Sequence, residues 1–216
     1  MYLTYMNLKA DTNNVLLDFG THWLLNGKRT KPTSDLHLAE NTTLEYFTAY
    51  KDSVNHQITF HLDEPGATTH IRGAIFLSQN SQVELSSCIA HHAPNTHGHC
   101  LIKGIATDSA NIKLSGMIRI DQTANNSTDQ LTERLLLLST EARGELQPEL
   151  EILTNEVKAS HATTIAHLDE LEMFYLQSRG LNKNQAEQLM IRGFLEDAIK
   201  FLDEESGSIV RKHLNI

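Results

Sequence analysis

The chain has 216 residues and a formal net charge of −9 at pH 7, so it can bury one substantial core without disulfide bonds. The acidic balance argues against a nucleic-acid partner, because nucleic-acid backbones are bound mainly by clustered Lys and Arg. The two cysteines fit no zinc-binding spacing, and their low number suits a reducing compartment. No apolar stretch approaches the roughly 20 residues of a membrane helix, and the start lacks the order of a signal peptide. We therefore expect a cytoplasmic protein.

Residues 1–40 form an N-terminal segment that leads into the rest of the fold. This segment contains Trp23 and the run LLDFGTHWLLNG. The pattern predicts one or two strands with loops.

Residues 41–167 consist of short apolar or alternating runs, repeated at the spacing of strands joined by turns, about every 10–15 residues. This pattern predicts an all-β core and leaves a solenoid, a sandwich, a barrel and a jelly roll open. Small and polar residues mark the expected turns: Gly66, Asn80, Gly98, Asp108, Asn125 and Asn126.

Residues 168–216 follow a helical period. Asp169 and Glu172 predict the start of a first helix that ends at Gly180, and Asn182 with Gln185 predicts the start of a second. The chain should therefore close with an α-helical hairpin. The expected buried stripe of the second helix is Ala186, Leu189, Met190, Gly193, Phe194, Ala198 and Leu202.

Gly193 interrupts the second helix at a cost of about 1 kcal/mol relative to alanine. We expect the first helix or a docked partner to pack against its bare backbone.

A histidine-rich run offers one candidate metal site, formed by His91, His92, His97 and His99. His97 and His99 would lie on the same side of a strand, as in a cupin-like metal site. The carboxylate that normally completes such a site is missing, because Ile102 and Lys103 stand in its place. Exposed turn histidines are the alternative interpretation.

An enzymatic role has little support in the sequence. A carbohydrate-active β-helix would need paired acid and base groups along a groove, and Asp108 and Asp121 fall at no such spacing. No phosphate-binding loop or nucleophile elbow occurs. We predict a protein that is not an enzyme.

Three segments resemble the signature of the SufB/SufD family of iron–sulfur cluster assembly proteins in order and spacing. They are PELEI at 148–152, VKASHATT at 157–164 and FYLQSRGL at 174–181. Weaker similarity is present at HHAPNT (91–96), KGIA (103–106), MI (190–191) and GF (193–194). The likeness covers about residues 60–202.

The resemblance implies a right-handed parallel β-helix over 41–167 and a C-terminal helical segment that contacts a SufC-type ATPase. It also implies edge-to-edge pairing of two β-helices. Because an uncapped coil exposes unpaired backbone groups, we expect a homodimer in isolation, and the sequence leaves open whether the cellular partner is a second copy or a SufB-type scaffold. The docking candidates on the two helices are Phe174, Tyr175, Arg179, Met190, Gly193 and Phe194.

In the family, a Cys-x-His pair closes the β-helix, and the histidine of SufD-type chains is implicated in holding the nascent cluster. Here Ala159 replaces the cysteine and His161 keeps the histidine position. This pattern is closer to SufD than to SufB. A lone imidazole supplies one ligand, so a transient cluster or iron would be shared with a partner chain, with no tightly bound cofactor in isolation.

Overall fold

The computed structural model describes residues 13–20, 22–30 and 33–216. The opening stretch, on which the signal-peptide expectation rests, and positions 21, 31 and 32 lie outside these residues. The strands of the described part are β1 (Asn13–Asp18), β2 (Trp23–Leu25), β3 (Lys28–Thr30), β4 (Asp35–Leu38), β5 (Thr43–Tyr50), β6 (Val54–Leu62), β7 (Thr68–Leu77), β8 (Gln82–His91), β9 (His97–Ala106), β10 (Asn111–Ile120), β11 (Thr128–Leu137), β12 (Arg143–Ile152) and β13 (Lys158–His167).

The strands from β4 to β13 alternate between two sheets, so the backbone winds as a coil. One sheet, here sheet A, has the order β13-β11-β9-β7-β5-β1-β2-β3, and the other, sheet B, has the order β12-β10-β8-β6-β4. Pairings between successive coils are parallel, whereas β1, β2 and β3 pair antiparallel at the first end. The molecule is a parallel β-solenoid of about five turns, which confirms the predicted class of fold.

In-register pairing stacks equivalent positions of successive coils. Ile71 lies opposite Cys100, and Cys100 lies opposite Leu131, and all three side chains are buried. Because side chains of a strand point alternately to its two faces, every second residue joins such an interior row. The short alternating runs of the sequence are these rows.

Residues in the left-handed backbone conformation form several of the corners between strands. Asn41, Asn95 and Asn126 have positive φ at one set of corners, and Gln79 and Asp108 do so at others. Asn and Asp tolerate this conformation better than most residues. The expectation of polar turns is confirmed.

Gly98 is an exception, because it lies inside β9 and not in a turn. A Cβ atom at this position would come within 2.3 Å of the Asp129 carboxylate on the neighbouring strand. The glycine therefore gives room to a buried carboxylate.

The first end of the solenoid is closed by β1, β2 and β3, more strands than the N-terminal pattern indicated. Trp23 is fully buried there. Burial by itself would raise the pKa of Asp18, but hydrogen bonds from His56, Tyr46 and Tyr50 outweigh it and the pKa is lowered. A buried, hydrogen-bonded polar cluster thus lies where β1, β2 and β3 close the solenoid.

Three helices follow the solenoid: α1 (Glu170–Ser178), α2 (Lys183–Ile199) and α3 (Glu204–Leu214). Asp169 caps α1, and Asn182 and Gln185 form a reciprocal capping box on α2, as predicted. The predicted pair of helices is present, and α3 is an addition that the hairpin interpretation did not include.

The buried face of α2 differs from the predicted stripe. Its buried residues are Ala186, Ile191, Leu195, Ala198 and Ile199. Leu189 is exposed, Met190 and Phe194 are half-buried, and no described atom lies within 4 Å of a Cβ built on Gly193. The helix is therefore rotated relative to the prediction, because Ile191 and Leu195 face the sheet.

A second hydrophobic core joins α2 and α3 to the outer face of sheet A. It combines Ile191, Leu195 and Val210 of the helices with residues of five strands: Leu17, Phe47, Ala49, Ala74, Ile105 and Leu136. The buried Lys103 of β9 forms an ion pair with Asp197 of α2 at 2.8 Å. None of the described helices is long and apolar enough to cross a membrane.

Candidate functional site: the open end of the solenoid

The last coil leaves one end of the solenoid uncovered. Among the described residues, β12 pairs only with β10 and β13 pairs only with β11, so both stand at the edge of their sheets. The outer backbone edge of each strand has no strand partner in the described chain. Such edges are templates for pairing with another chain.

The interior rows continue into this last coil and end in solvent. Leu150 and Ile152 align with the buried Ile118 and Ile120, yet they are 41% and 38% exposed. Ile165 aligns with the buried Leu135 and is 43% exposed. The open end therefore presents a strip of core residues that no further coil covers.

His161 belongs to the same interior rows. It lies on β13 directly opposite the buried Leu131, so its side chain leaves the strand on the interior side, and it is exposed. No hydrogen bond or ion pair involves its side chain within residues 33–216. The imidazole is thus accessible from solvent, and among these residues no side-chain or backbone group is hydrogen-bonded to its ring nitrogens. The prediction that His161 is a ligand stays untested by this placement.

Two buried carboxylates lie one coil beneath this end. Asp129 pairs in register with Ala159 and accepts a hydrogen bond from His91, with 2.9 Å between Oδ2 and Nε2. Glu133 pairs with Thr163 and is fully buried. Neither carboxylate oxygen of Glu133 has a hydrogen-bond partner in the described part of the chain.

Burial raises the pKa of Glu133 to about 7. Its Oε1 atom lies 2.9 Å from the position of a Cβ on Gly116, so a side chain at that glycine would crowd the carboxylate. The sequence pattern did not identify Glu133 or Asp129 as site residues, because a single acidic residue in an alternating strand usually faces solvent. Only the coil register shows that they face the interior.

Neither cysteine supplies an activated thiolate. Cys100 is fully buried, and burial raises the pKa of its thiol well above the ordinary value. Burial also raises the pKa of Cys88 to about 11. Cysteine binds metals as the thiolate, and Cys88 on β8 and Cys100 on β9 both lie away from the last coil, so the donors at the open end of this chain are imidazole and carboxylate groups.

The docking candidates divide between an exposed helix and a packed one. Phe174 and Tyr175 of α1 are 67% and 56% exposed, and the guanidinium of Arg179 lies 5.1 Å from the Tyr175 ring centre. On α2, Phe194 is half-buried beneath the ammonium group of Lys103. The apolar surface of α1 is the more accessible of the two.

The four histidines of the alternative metal site lie apart. His91 points into the core, His92 contacts Asp121 on the side of sheet B, and His97 contacts Thr128 on sheet A. His99 lies near His70, with ring centres 6.2 Å apart. The structure does not bring this set together, and its parallel strands are not a cupin jelly roll.

These features define a class: a parallel β-solenoid with one open, apolar end, an edge histidine and a packed helical extension. The family described as the SUF system FeS cluster assembly, SufBD core domain, matches residues 29–194. The chain belongs to the SufB/SufD family.

Individual relatives agree with this assignment. The iron–sulfur cluster assembly protein SufD of Escherichia coli is 28% identical over 174 residues, which are 80% of this chain and 41% of the relative. SufD of Bacillus subtilis is 33% identical over 65% of this chain and 32% of its own length. A SufBD family protein of Synechocystis is 34% identical over 64% of this chain and 31% of its own length. The chain spans less than half the length of these relatives.

Proposed function

We propose that the chain acts as a SufD-type, non-catalytic scaffold subunit in iron–sulfur cluster assembly. The observation that carries the proposal is the open end of the solenoid, where two unpaired strand edges and exposed core residues accompany His161. This surface suits a partner solenoid that continues the sheets. Family membership supports the cluster-assembly context.

His161 contributes one ligand to iron or to a nascent cluster, which is the cargo of the complex. A neutral imidazole nitrogen is the binding form. Because Ala159 offers no thiolate and burial raises the pKa of both cysteine thiols, the partner scaffold provides the remaining ligands. The cluster therefore forms at the interface, and neither chain holds it alone.

The ATPase contact is assigned to α1. Its exposed apolar surface, including Phe174 and Tyr175, has no covering element in the described chain. The SufC-type partner hydrolyses ATP, and its closure on the helices moves the paired solenoids. The packed core between α2 and sheet A passes that movement to the β-solenoid.

The test of the cluster step is anaerobic co-purification with a SufC-type ATPase and a SufB-type scaffold, followed by visible absorbance and by iron and sulfide analysis. We expect His161→Ala to keep the complex and lose most of the cluster signal. His97→Ala, another exposed strand histidine, is the matched control and should behave as the wild type. A full cluster yield in His161→Ala would defeat the proposed ligand role.

The docking step has its own test. Phe174→Ser should reduce the recovery of the ATPase at least tenfold, because it removes an exposed apolar side chain without opening the core. Ile209→Ser on α3 is the control and should leave recovery unchanged. Equal recovery with both variants would place the ATPase contact elsewhere.

A further inference from the structure

A column of histidines crosses three coils on the side of sheet B. The rings of His37 and His61 are stacked 4.3 Å apart at 5°, and those of His61 and His92 are 5.4 Å apart at 13°. Each ring also contacts a carboxylate, and together these residues form what we call the histidine column: Asp35, His37, His61, Asp63, His92 and Asp121.

The contacts in the column need more protons than neutral rings supply. Asp35 lies 3.3 Å from Nε2 of His61, Nδ1 of His61 lies 3.1 Å from Nε2 of His92, and Nδ1 of His92 lies 2.7 Å from Asp121. Each of these three contacts requires a hydrogen to be attractive, whereas two neutral imidazoles carry one hydrogen each. With both rings neutral, one of the three contacts therefore has no hydrogen and brings two acceptor atoms together. A cation bound at that contact, either a proton or a metal ion, would make it attractive.

The geometry suits a metal ion as that cation. One ligand atom from each of His37, His61 and Asp63 can be chosen so that all three lie within 4.8 Å of one another. Two ligands on one zinc ion are separated by about 3.4 Å, given bonds of about 2.0–2.1 Å and tetrahedral angles. To share one ion, the three atoms have to move closer together, and the parallel rings of His37 and His61 have to tilt so that both nitrogen lone pairs point at it. The side chains of His37 and Asp63 are 30% and 39% exposed, so an ion can enter from solvent.

We propose that the histidine column binds a divalent transition-metal ion through His37, His61 and Asp63. Imidazole with carboxylate favours Zn²⁺, Fe²⁺, Co²⁺ or Ni²⁺ over the oxygen-preferring Mg²⁺ and Ca²⁺. His92 and Asp121 act behind His61 as a hydrogen-bonded chain that fixes its ring, an arrangement common around metal-bound histidines. The site is on sheet B and does not use His161.

The site also differs from the metal candidate that the sequence pattern offered. Only His92 is shared, and it serves to orient His61. Asp35 and His37 lie two positions apart, as do His61 and Asp63, but the two pairs belong to successive coils and become neighbours only through the winding of the chain.

The test is titration of the chelator-treated full chain with Zn²⁺ and with Co²⁺, followed by calorimetry and by the visible spectrum of the cobalt form. We expect one tight equivalent, an intense cobalt absorption typical of low coordination number, a raised melting temperature and no response to Mg²⁺. His61→Gln and Asp63→Asn should each weaken Zn²⁺ binding at least a hundredfold. Asp121→Asn should weaken it about tenfold, because it acts through His92.

Two controls separate this site from others. His97→Gln and His161→Ala should both retain the tight equivalent. If His61→Gln fails to fold, His37→Gln at the partly exposed rim provides the same comparison. The proposal is overturned if the wild type binds Zn²⁺ no more tightly than Asp63→Asn does. An additional proton shared within the histidine column would then account for its short contacts. It is also overturned if His161→Ala abolishes binding.

Discussion

Glu133 is the residue whose environment conflicts most with its charge. It is fully buried and has no hydrogen-bond partner in the described residues, and burial raises its pKa from 4.5 to about 7. The folded state therefore holds a proton that the unfolded state releases at lower pH. Below about pH 4.5 the ionisation of Glu133 therefore does not change the free energy of unfolding. As the pH rises from about 4.5 to about 7, that free energy falls.

We predict that Glu133→Gln removes this pH dependence. The pKa difference between 4.5 and about 7 corresponds to about 3 kcal/mol at pH 8, of which about 1 kcal/mol is already present at pH 5. The stability of the variant relative to the wild type should therefore rise by about 2–3 kcal/mol between pH 5 and pH 8. Urea unfolding at both pH values measures the gain. The same slope of unfolding free energy against pH in both proteins would show that Glu133 is not its source. Asp108→Asn, at an exposed corner, is the control.

At the scale of elements, α2 shows why a buried face is difficult to predict from one sequence. The helix carries two apolar stripes, and the predicted stripe includes Leu189, which is exposed, and Met190, which is only half-buried. Periodicity identifies both stripes but does not identify which one meets the outer face of sheet A. Caps are simpler, because Asp169 and Asn182 act on backbone groups within three residues.

Gly193 gives a direct test at this scale. A Cβ atom would meet nothing within 4 Å, so Gly193→Ala should stabilise the isolated chain by about 1 kcal/mol through helix propensity alone. Thermal and denaturant unfolding measure this effect. If the same variant also weakens recovery of the ATPase, the bare backbone is a partner contact; a loss of stability in the isolated chain would contradict the open surroundings of this position.

At the scale of the whole molecule, the solenoid could be predicted only in part from the residues. Alternation and polar corners predicted short strands, but a sandwich has the same pattern, and the family resemblance selected the coil. The interior polar groups could not be predicted, because Asp129 and His91 are 38 residues apart and meet through the winding. His161 was identified by resemblance, and the structure adds that its strand is an uncovered edge.

The open end predicts self-association of the isolated chain. Ile152→Lys places a charge among the exposed core residues of β12 and should convert a dimer to a monomer. Sedimentation velocity measures the change, and Ile209→Lys on α3 is the matched control. A wild type that stays monomeric at high concentration would show that this end does not pair with its own copy.

The second core has a consequence for how the molecule unfolds. Repeat proteins held only by neighbour contacts lose their terminal repeats one at a time. Here α2 and α3 contact residues from β1 to β11, so separating any of these coils also strips the helices from sheet A. The helices therefore connect successive coils along the axis of the solenoid. Heat should therefore melt these coils in one cooperative step, while the last coil, with β12 and β13, exchanges its amide hydrogens first.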